Sequence, residues 1–286
     1  MNTCDGSLQR TPELTPQEAP VRIEAVAPIS PRDTAMQAFR LKPEKCWQRY
    51  IREVYSQIEG RPQLESLKGA WVVPVEKSEA SAMICKYEWL GSMATSTVAC
   101  YGLQLNGELL GAVAFATGLG SPESTRLTTT PAKTILLARG ICVPHAPTNA
   151  GSFLVRQACR QAHRDHGWEV FFAYSDSDAG EIGTIYQAVG WKFIGTHKTS
   201  PKHSFTSPDG RTHFTSYHFN KKSDTKFKRI GWDGTEPKYA FLTRLGYTKK
   251  TDSKKSRWVW FENTNLECRF PYLPYPKRTQ EATPWQ

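Results

Sequence analysis

Two polar residues interrupt or follow apolar runs in which a charge is costly. Arg139 is a lone cation in the apolar run 134–143, and burying it requires an anionic or other acceptor partner, in a ligand site or a structural ion pair. Asp176 follows the apolar residues 170–174, so its carboxylate stands at the carboxyl end of a predicted strand. Ligands of α/β proteins commonly bind at such ends, although a cap of the next helix would use the same carboxylate.

A serine and a tyrosine stand on predicted helices. Ser152 follows Asn149 and Gly151 at a helix start, where backbone N–H groups attract phosphate or another anion. These three residues are therefore candidates to bind the anionic part of a cofactor, and helix capping is the alternative. Tyr186 lies on a predicted helix over 181–189 whose isoleucines and valine face a core, so its phenol is either a proton donor or a core group.

The positive charge is concentrated in the last third of the chain. Residues 1–190 carry 18 Lys and Arg against 19 Asp and Glu, whereas residues 191–286 carry 19 against 8. This asymmetry favours a polyanionic partner, with nucleic acid as the first candidate, an acidic membrane second, and a solvated basic surface as the alternative. The candidate DNA-contacting residues are Lys221, Lys222, Lys226, Lys228, Arg229, Lys249, Lys250, Lys254, Lys255 and Arg257. Phe227, Trp232, Tyr247 and Trp258 alternate with them, and could stack on bases or belong to core strands.

Periodicity predicts the elements that position these residues. Residues 42–68 contain an amphipathic helix, 70–76 a strand and 77–90 a helix. Two β-rich runs flank Asn106-Gly107, the strongest short-range signal for an antiparallel hairpin. A strand over 134–143, a helix over 151–167, a strand over 169–174, the helix over 181–189 and a strand over 191–196 then follow. The last third adds a hairpin around Asp209-Gly210, a helix over 237–245 and a strand over 257–262.

Composition excludes several classes of protein. The 286 residues are 39% hydrophobic, enough for one sizeable core, and the seven scattered cysteines form no CxxC pair that would indicate a disulfide framework or a zinc site. No apolar run is long enough to span a membrane, and no signal peptide is recognisable, so a cytoplasmic protein is expected. His163 and His166 are a weak metal pair, more typical of a solvated helix face, and no metal ligand is assigned.

The element order predicts an α/β (α+β) fold with antiparallel strands first and a parallel crossover in the middle. It is the order of the GCN5-related N-acetyltransferase fold, a mixed sheet with flanking helices, here followed by a basic C-terminal extension. The segments 136–160 and 173–195 resemble the Mom family, phage proteins with an acetyltransferase-like fold that modify adenine in the phage's own DNA. The string Tyr-Ser-Asp…Gly-x-Ile-Tyr-Gln-Ala-x-Gly-Trp carries the resemblance most specifically.

The resemblance implies a function and a set of catalytic positions, which fall on Arg139, Ser152, Asp176 and Tyr186. It implies transfer of a carbamoylmethyl (acetamido) or related acyl-type group to N6 of a flipped adenine in double-stranded DNA, in the cytoplasm of a bacterial host, with protection from restriction. The group donor is open, with acetyl-CoA or another acyl donor as candidates, and so are metal use and oligomeric state. An acyl-CoA N-acetyltransferase of a small amine or protein, and an inactive DNA-binding protein, are the alternatives.

The chain departs from these patterns at two places. The turn 145–151 has one glycine and a proline in place of the glycine-rich CoA loop of acetyltransferases, a departure that the Mom family shares. A histidine-rich stretch of the family is replaced by residues 86–89, where Lys86 or Tyr87 would have to substitute. The predicted organisation is a disordered leader (1–41), the N-terminal helix (42–68), a catalytic domain (69–218) and the basic extension (219–286).

Overall fold

The computed structural model describes residues 46–117, 126–176, 180–199, 205–208, 213–214, 219, 224–249 and 253–277. The predicted leader, Lys221, Lys222, Lys250 and the Asp209-Gly210 turn lie outside these residues. The helices are α1 (Trp47–Glu59), α2 (Lys77–Tyr87), α3 (Ala150–His166), α4 (Thr184–Ala188), α5 (Thr225–Lys228) and α6 (Lys238–Arg244). The strands are β1 (Trp71–Pro74), β2 (Thr97–Leu105), β3 (Glu108–Ala116), β4 (Thr134–Cys142), β5 (Val170–Asp176), β6 (Lys192–Thr199), β7 (Phe205–Thr206), β8 (His213–Phe214), β9 (Thr248–Lys249) and β10 (Ser253–Phe261).

A seven-stranded mixed sheet organises the chain, in the order β1-β2-β3-β4-β5-β10-β6. β4 and β5 are parallel and joined by α3, while every other neighbouring pair is antiparallel. Asn106 and Gly107 have φ angles of 51° and 80°, which close the tight hairpin between β2 and β3. The predicted mixed sheet with flanking helices is thus confirmed.

The core lies between this sheet and the helices, and large aromatic side chains fill it. Trp47, Trp191 and Trp258 are completely or almost completely buried, and the Trp47 indole donates to the Tyr87 carbonyl oxygen at 2.8 Å. That hydrogen bond ties α1 to the end of α2, so the amphipathic pattern of α1 is explained by packing on the sheet. Burial of one such side chain contributes about 1.5–3 kcal/mol.

The C-terminal third contributes to the main sheet and also builds a smaller unit. β10 lies between β5 and β6 and pairs with both. The predicted boundary at residue 218 therefore does not separate the strands of the sheet from the basic segment. Between β6 and β10 the chain forms a second sheet of order β8-β7-β9 around its own aromatic core, which includes Phe205, Phe214 and Phe227. The β7–β8 pairing confirms the predicted hairpin in its described residues.

Candidate active site

A gap between β4 and β5 defines the site. The two parallel strands pair from Thr134 with Val170 to Leu137 with Ala173, where their pairing ends. On the other side of β4, Ala114 pairs with Arg139 and Phe115 with Leu137, so the register shifts around Ala138. A bulge bends its strand, and β4 therefore diverges from β5 at their carboxyl ends.

A cavity of about 120 Å³ occupies this gap, the volume of roughly four water molecules in the liquid. Its walls come from the diverging strands, from the first turns of α3, from α4 and the residues before it, and from the start of α1. Its polar lining includes the ionisable side chains of Glu88, Arg139 and Glu181 and the phenols of Tyr174 and Tyr186. Ionisable groups that converge in a concave, largely apolar site are the arrangement expected of a binding or active site.

Arg139 is oriented by backbone acceptors. Its Nε donates to the Ser92 carbonyl oxygen at 2.8 Å and its Nη1 to the Ala138 carbonyl oxygen at 2.6 Å. These two carbonyl oxygens are the hydrogen-bond acceptors that a cation within an apolar strand requires. The guanidinium is thus fixed at the wall of the cavity, where it can neutralise developing negative charge.

Glu181 and Glu88 bring two carboxyl groups into the same cavity. Burial raises the pKa of Glu181 to about 8, and the carboxylate of Glu88 adds to the rise. Glu88 itself accepts hydrogen bonds from the backbone N–H groups of Leu90 and Gly91 at 2.7 and 3.2 Å. Such bonds stabilise a charged carboxylate, so Glu88 carries the negative charge and Glu181 the proton at neutral pH. Neither glutamate is among the site residues predicted from the sequence.

Tyr186 reaches the cavity from α4 while its ring packs against the core. The ring centroid lies 5.0 Å from that of Trp191 and 5.7 Å from that of Trp258. Burial and the nearby Glu181 raise the pKa of Tyr186, so its phenol keeps its proton throughout the neutral range. Tyr186 is partly buried against the core and is also one of the residues that line the cavity, so its proposed role as a proton donor stays a prediction.

The other two predicted catalytic residues lie beside the cavity. Among the described residues, neither Asp176 nor Ser152 belongs to its lining. Asp176 ends β5 next to the lining residue Ser175, and one carboxylate oxygen lies 3.8 Å from the Lys255 ammonium. Its backbone carbonyl accepts the Glu181 N–H at 3.1 Å. Ser152 donates its hydroxyl to the Asn149 carbonyl oxygen at 2.9 Å, so it does not cap a helix N–H through that hydrogen bond.

The stretch 86–89 is divided between two environments. Lys86 and the Tyr87 hydroxyl both donate to the same carboxylate oxygen of Glu59 in α1, each at 2.9 Å. Glu88 is the residue of this stretch that enters the cavity. Lys86 and Tyr87 thus hold α1 to α2, and neither is among the residues that line the cavity.

The predicted donor-binding turn is largely covered. Residues 143–147 are buried, the His145 carbonyl oxygen accepts the Leu64 N–H at 2.8 Å, and the Gln63 amide contacts Ala146 and Thr148. Only Thr148 and Asn149 are exposed just before α3. The anionic part of a donor therefore fits the exposed start of α3 and does not fit along the turn itself.

The four aromatic residues predicted to alternate with the basic residues belong to cores. Phe227 and Trp258 are buried, and Trp232 and Tyr247 pack on the smaller core, so base stacking by Phe227 and Trp258 is ruled out. Their alternation with lysines reflects strands and helices that bury one face.

The basic residues differ in their exposure. Lys228, Arg229 and Lys249 are exposed, and Lys255 is partly exposed. Arg257 donates from Nη2 to the Ile194 carbonyl oxygen at 2.9 Å and lies over the Phe270 ring, so its guanidinium serves the fold. Only the backbone of Lys226 and Lys254 is described.

The described residues hold no cluster of three metal-ligating side chains and no helix long and apolar enough to cross a membrane. On α3, His163 contacts the Trp168 carbonyl oxygen at 2.8 Å, and His166 stacks on the Trp168 ring. Both histidines of the weak metal pair thus have local partners at the end of α3.

A sequence model of the Mom protein family matches residues 70–277. The chain belongs to this family. The match runs from just before β1 to the segment after β10. It includes every residue that lines the cavity except Gln48, which belongs to α1, and Cys46, which precedes α1. No curated protein sequence matches the chain.

Solved structures similar to this Mom family member are N-acetyltransferases. One from Staphylococcus aureus Mu50 is 10% identical, covering 68% of this chain and 99% of its own, with a TM-score of 0.37. An acetyltransferase of Bacillus subtilis in complex with CoA is 10% identical, covering 67% and 98%, with a TM-score of 0.36. The polyamine N-acetyltransferase of Drosophila melanogaster is 11% identical, covering 67% and 99%, with a TM-score of 0.37.

The raised pKa of Glu181 makes the stability of this Mom family member depend on pH. The ordinary value is 4.5, so between pH 4.5 and about 8 the unfolded chain loses this proton and the folded chain keeps it. The contribution of Glu181 is thus complete at low pH and is lost as pH rises through about 8. Glu181→Gln removes this loss, so the free energy of unfolding of the variant, relative to that of the original protein, should rise by about 3 kcal/mol from pH 5 to pH 7.5.

Urea unfolding at the two pH values measures this difference. Glu108→Gln is the matched control, because the hydrogen bond from Arg61 lowers the pKa of Glu108 below its ordinary value of 4.5, so its effect on stability should change little between the two pH values. A stability difference for Glu181→Gln that stays constant with pH would show that Glu181 is ionised in the folded protein.

Proposed function

We propose that this member of the Mom family is a transferase that modifies N6 of adenine in DNA and thereby protects the DNA from restriction. The transferred group is a carbamoylmethyl (acetamido) or related acyl-type group. The observation that carries the proposal is the cavity at the divergence of β4 and β5, where Arg139, Tyr186 and two glutamates converge. The family assignment supports a transferase, and the positive charge of residues 191–286 supports DNA as the substrate.

The acceptor imposes two requirements. The N6 amine is conjugated to the purine ring and is therefore a weak nucleophile, and in a duplex it is out of reach of a cavity inside the protein. The adenine must consequently be flipped out of the helix, and its amine must be oriented and lose a proton during transfer.

The residues of the site meet these requirements in distinct ways. Asp176, at the end of β5, is the proposed acceptor of the N6 proton or of its hydrogen bond. Tyr186 keeps its proton and can donate to the leaving group or to the transferred carbonyl oxygen. Arg139, fixed by the Ser92 and Ala138 carbonyl oxygens, would neutralise negative charge on the donor or the base.

The group donor, acetyl-CoA or another acyl donor, would supply the electrophilic carbon. Its anionic part would bind at Asn149, Gly151 and Ser152, where α3 begins next to the cavity. Gly151 matters for space at this point, because an added Cβ would lie 3.1 Å from the Ile185 side chain of α4. These residues bind and orient the donor, and no proton transfer is assigned to them.

Exposed basic residues of the smaller unit are expected to hold the DNA backbone. The double charge reversal Lys228→Glu and Arg229→Glu should weaken binding to every duplex sequence, because phosphate contacts carry no sequence information. The slope of log affinity against log salt concentration should fall by about two. Fluorescence anisotropy with two unrelated duplexes over a salt series measures both effects.

The matched control is Arg156→Glu with Arg164→Glu, which reverses two exposed charges on α3, outside the basic third of the chain. We expect the control to change the salt slope much less. An unchanged slope for the Lys228 and Arg229 variant would remove this surface from the DNA interface.

Mass spectrometry of nucleosides from cells that express the protein tests the proposed function. A heavier deoxyadenosine that is absent from cells expressing Tyr186→Phe would support DNA modification, and its mass would identify the transferred group. Unmodified DNA together with tight acetyl-CoA binding would favour an acyl-CoA N-acetyltransferase of another amine. Unmodified DNA with DNA retardation alone would favour an inactive DNA-binding protein.

A further inference from the structure

Glu181 has no task in the proposed transfer, although it is a partly buried acid at the wall of the cavity. The proton acceptor assigned above is Asp176, and the proton donor is Tyr186. Glu181 is fixed by its own backbone N–H, which donates to the Asp176 carbonyl oxygen at 3.1 Å, and its carboxyl group takes a hydrogen bond from the Asp176 backbone. A group held this firmly in a binding cavity is preorganised to contact the molecule that enters.

The surroundings of Glu181 determine its protonation. Besides Glu181, the ionisable groups that line the cavity are Cys46, Glu88, Arg139, Cys142, Tyr174 and Tyr186. Glu88 is the anion among them, since two backbone N–H groups bind its carboxylate. Arg139 directs its Nε and Nη1 to backbone carbonyl oxygens, and the carboxylate of Asp176, outside the lining, further raises the pKa of Glu181. Two carboxyl groups in one partly apolar cavity cannot both ionise cheaply, and the rise in the pKa of Glu181 to about 8 agrees.

We infer that Glu181 binds the target adenine as a neutral carboxylic acid, donating its O–H to ring nitrogen N1 and accepting a hydrogen bond from the N6 amine. This inference rests on the proposed function and adds to it the residue that recognises the base by hydrogen bonds. No covalent bond changes in this step, and the proton of Glu181 stays on the carboxyl group.

The adenine edge explains why the neutral form is needed. N1 is an acceptor and the adjacent N6 amine is a donor, so their partner must offer one donor next to one acceptor. A carboxylic acid offers both, as does the amide of glutamine, which pairs with adenine in a similar bidentate way. A carboxylate offers acceptors only and would set a negative charge against N1. The N6 amine keeps its second hydrogen for the transfer.

Two substitutions separate this role from that of a base. Glu181→Gln keeps one donor and one acceptor and cannot take up a proton, whereas Glu181→Met keeps the length of the side chain and has neither group. We expect Glu181→Gln to keep adenine modification in cells within about tenfold of the original protein, and Glu181→Met to lose about 10- to 100-fold. Asp176→Asn is the matched control, because the same change of acid to amide there removes the proposed proton acceptor and should abolish modification.

A binding measurement tests the contact without knowledge of the donor. The probe is a duplex with one adenine opposite an abasic site, compared by anisotropy with the same duplex carrying 1-deazaadenine or 7-deazaadenine. At pH 6.5 the original protein should bind the duplexes that carry adenine or 7-deazaadenine about tenfold more tightly than the duplex that carries 1-deazaadenine. This preference should vanish at pH 9.5, whereas Glu181→Gln should keep it at both pH values. Asp176→Asn should behave like the original protein in this assay.

The outcomes distinguish the inference from the proposed function. If adenine is modified in cells but the protein shows no preference for adenine over 1-deazaadenine, the inference is overturned and the proposed function stands. The same holds if adenine is modified but Glu181→Gln is as inactive as Glu181→Met. Unmodified adenine together with no preference overturns both. Unmodified adenine with a Glu181-dependent preference supports the base contact and overturns only the transfer.

Discussion

Replacing Tyr186 with phenylalanine is expected to lower adenine modification by at least about 100-fold while leaving the protein folded. The substitution removes only the hydroxyl, and the remaining ring can keep its contacts with Trp191 and Trp258, whose centroids lie 5.0 and 5.7 Å away. A tyrosine with a raised pKa is a poor base but an available donor at neutral pH. The lost activity would therefore be a lost proton or hydrogen bond to the transferred or leaving group.

Tyr101→Phe is the matched control for this prediction. Tyr101 is also buried, its hydroxyl donates to an Asp165 carboxylate oxygen at 2.8 Å, and it does not line the cavity. We expect it to cost some stability and to leave modification per folded molecule unchanged. Nucleoside mass spectrometry, normalised to the soluble protein in each culture, compares the two variants. Equal losses would mean that Tyr186 acts only through packing.

Local signals predicted most of the fold. The Asn106-Gly107 dipeptide marked the β2–β3 hairpin, because both residues adopt positive φ, which few other pairs tolerate. The end of α3 was predicted within one residue, because the helix ends at His166 and Gly167 follows as its left-handed cap with a φ of 69°. Such signals depend on a few neighbouring residues, so they are visible without the tertiary structure.

Contacts between distant residues could not be predicted in this way. Glu181 stands in a polar stretch of the sequence, where a solvated glutamate is the usual outcome. It becomes a candidate only because folding brings it into the cavity with Glu88, 93 positions earlier in the chain. The position of β10 between β5 and β6 is equally non-local, since a basic strand at the end of the chain carries no mark of its partners.

The alternation of basic and aromatic residues in the last third supported two interpretations. A strand that buries one face and a stacking platform for bases give the same sequence pattern. Phe227 and Trp258 are buried, so they belong to cores and cannot stack on bases. The proposed DNA contacts are therefore made by lysines and arginines. For Arg139 and Asp176 the sequence indicated a strand and its end correctly, but the separation of Asp176 from the cavity lining depends on how β4 and β5 diverge.

The second large effect is expected at Gly183, the residue before α4. Gly183 has a φ of 72°, and an added Cβ would lie 2.2 Å from the Trp258 ring. The Trp258 indole is held by the Ser175 hydroxyl at 3.0 Å and packs against Tyr186, so it cannot move without disturbing two walls of the cavity. Gly183→Ala should therefore cost about 3 kcal/mol of folding free energy, from overpacking and from the left-handed backbone together.

Gly107→Ala isolates the backbone part of this cost. Gly107 has a φ of 80°, and its added Cβ would have no described atom within 4 Å, so only the left-handed conformation is penalised, by about 1 kcal/mol. Urea unfolding of both variants, with nucleoside analysis of the cells, separates the two effects. Gly183 lies against the Trp258 ring, and that ring packs against Tyr186. A shift of Trp258 would therefore displace Tyr186, so Gly183→Ala should also lose adenine modification at temperatures where it remains folded. A Gly183→Ala protein as stable and as active as Gly107→Ala would mean that the Trp258 ring can yield, and that the geometry of the cavity does not depend on this contact.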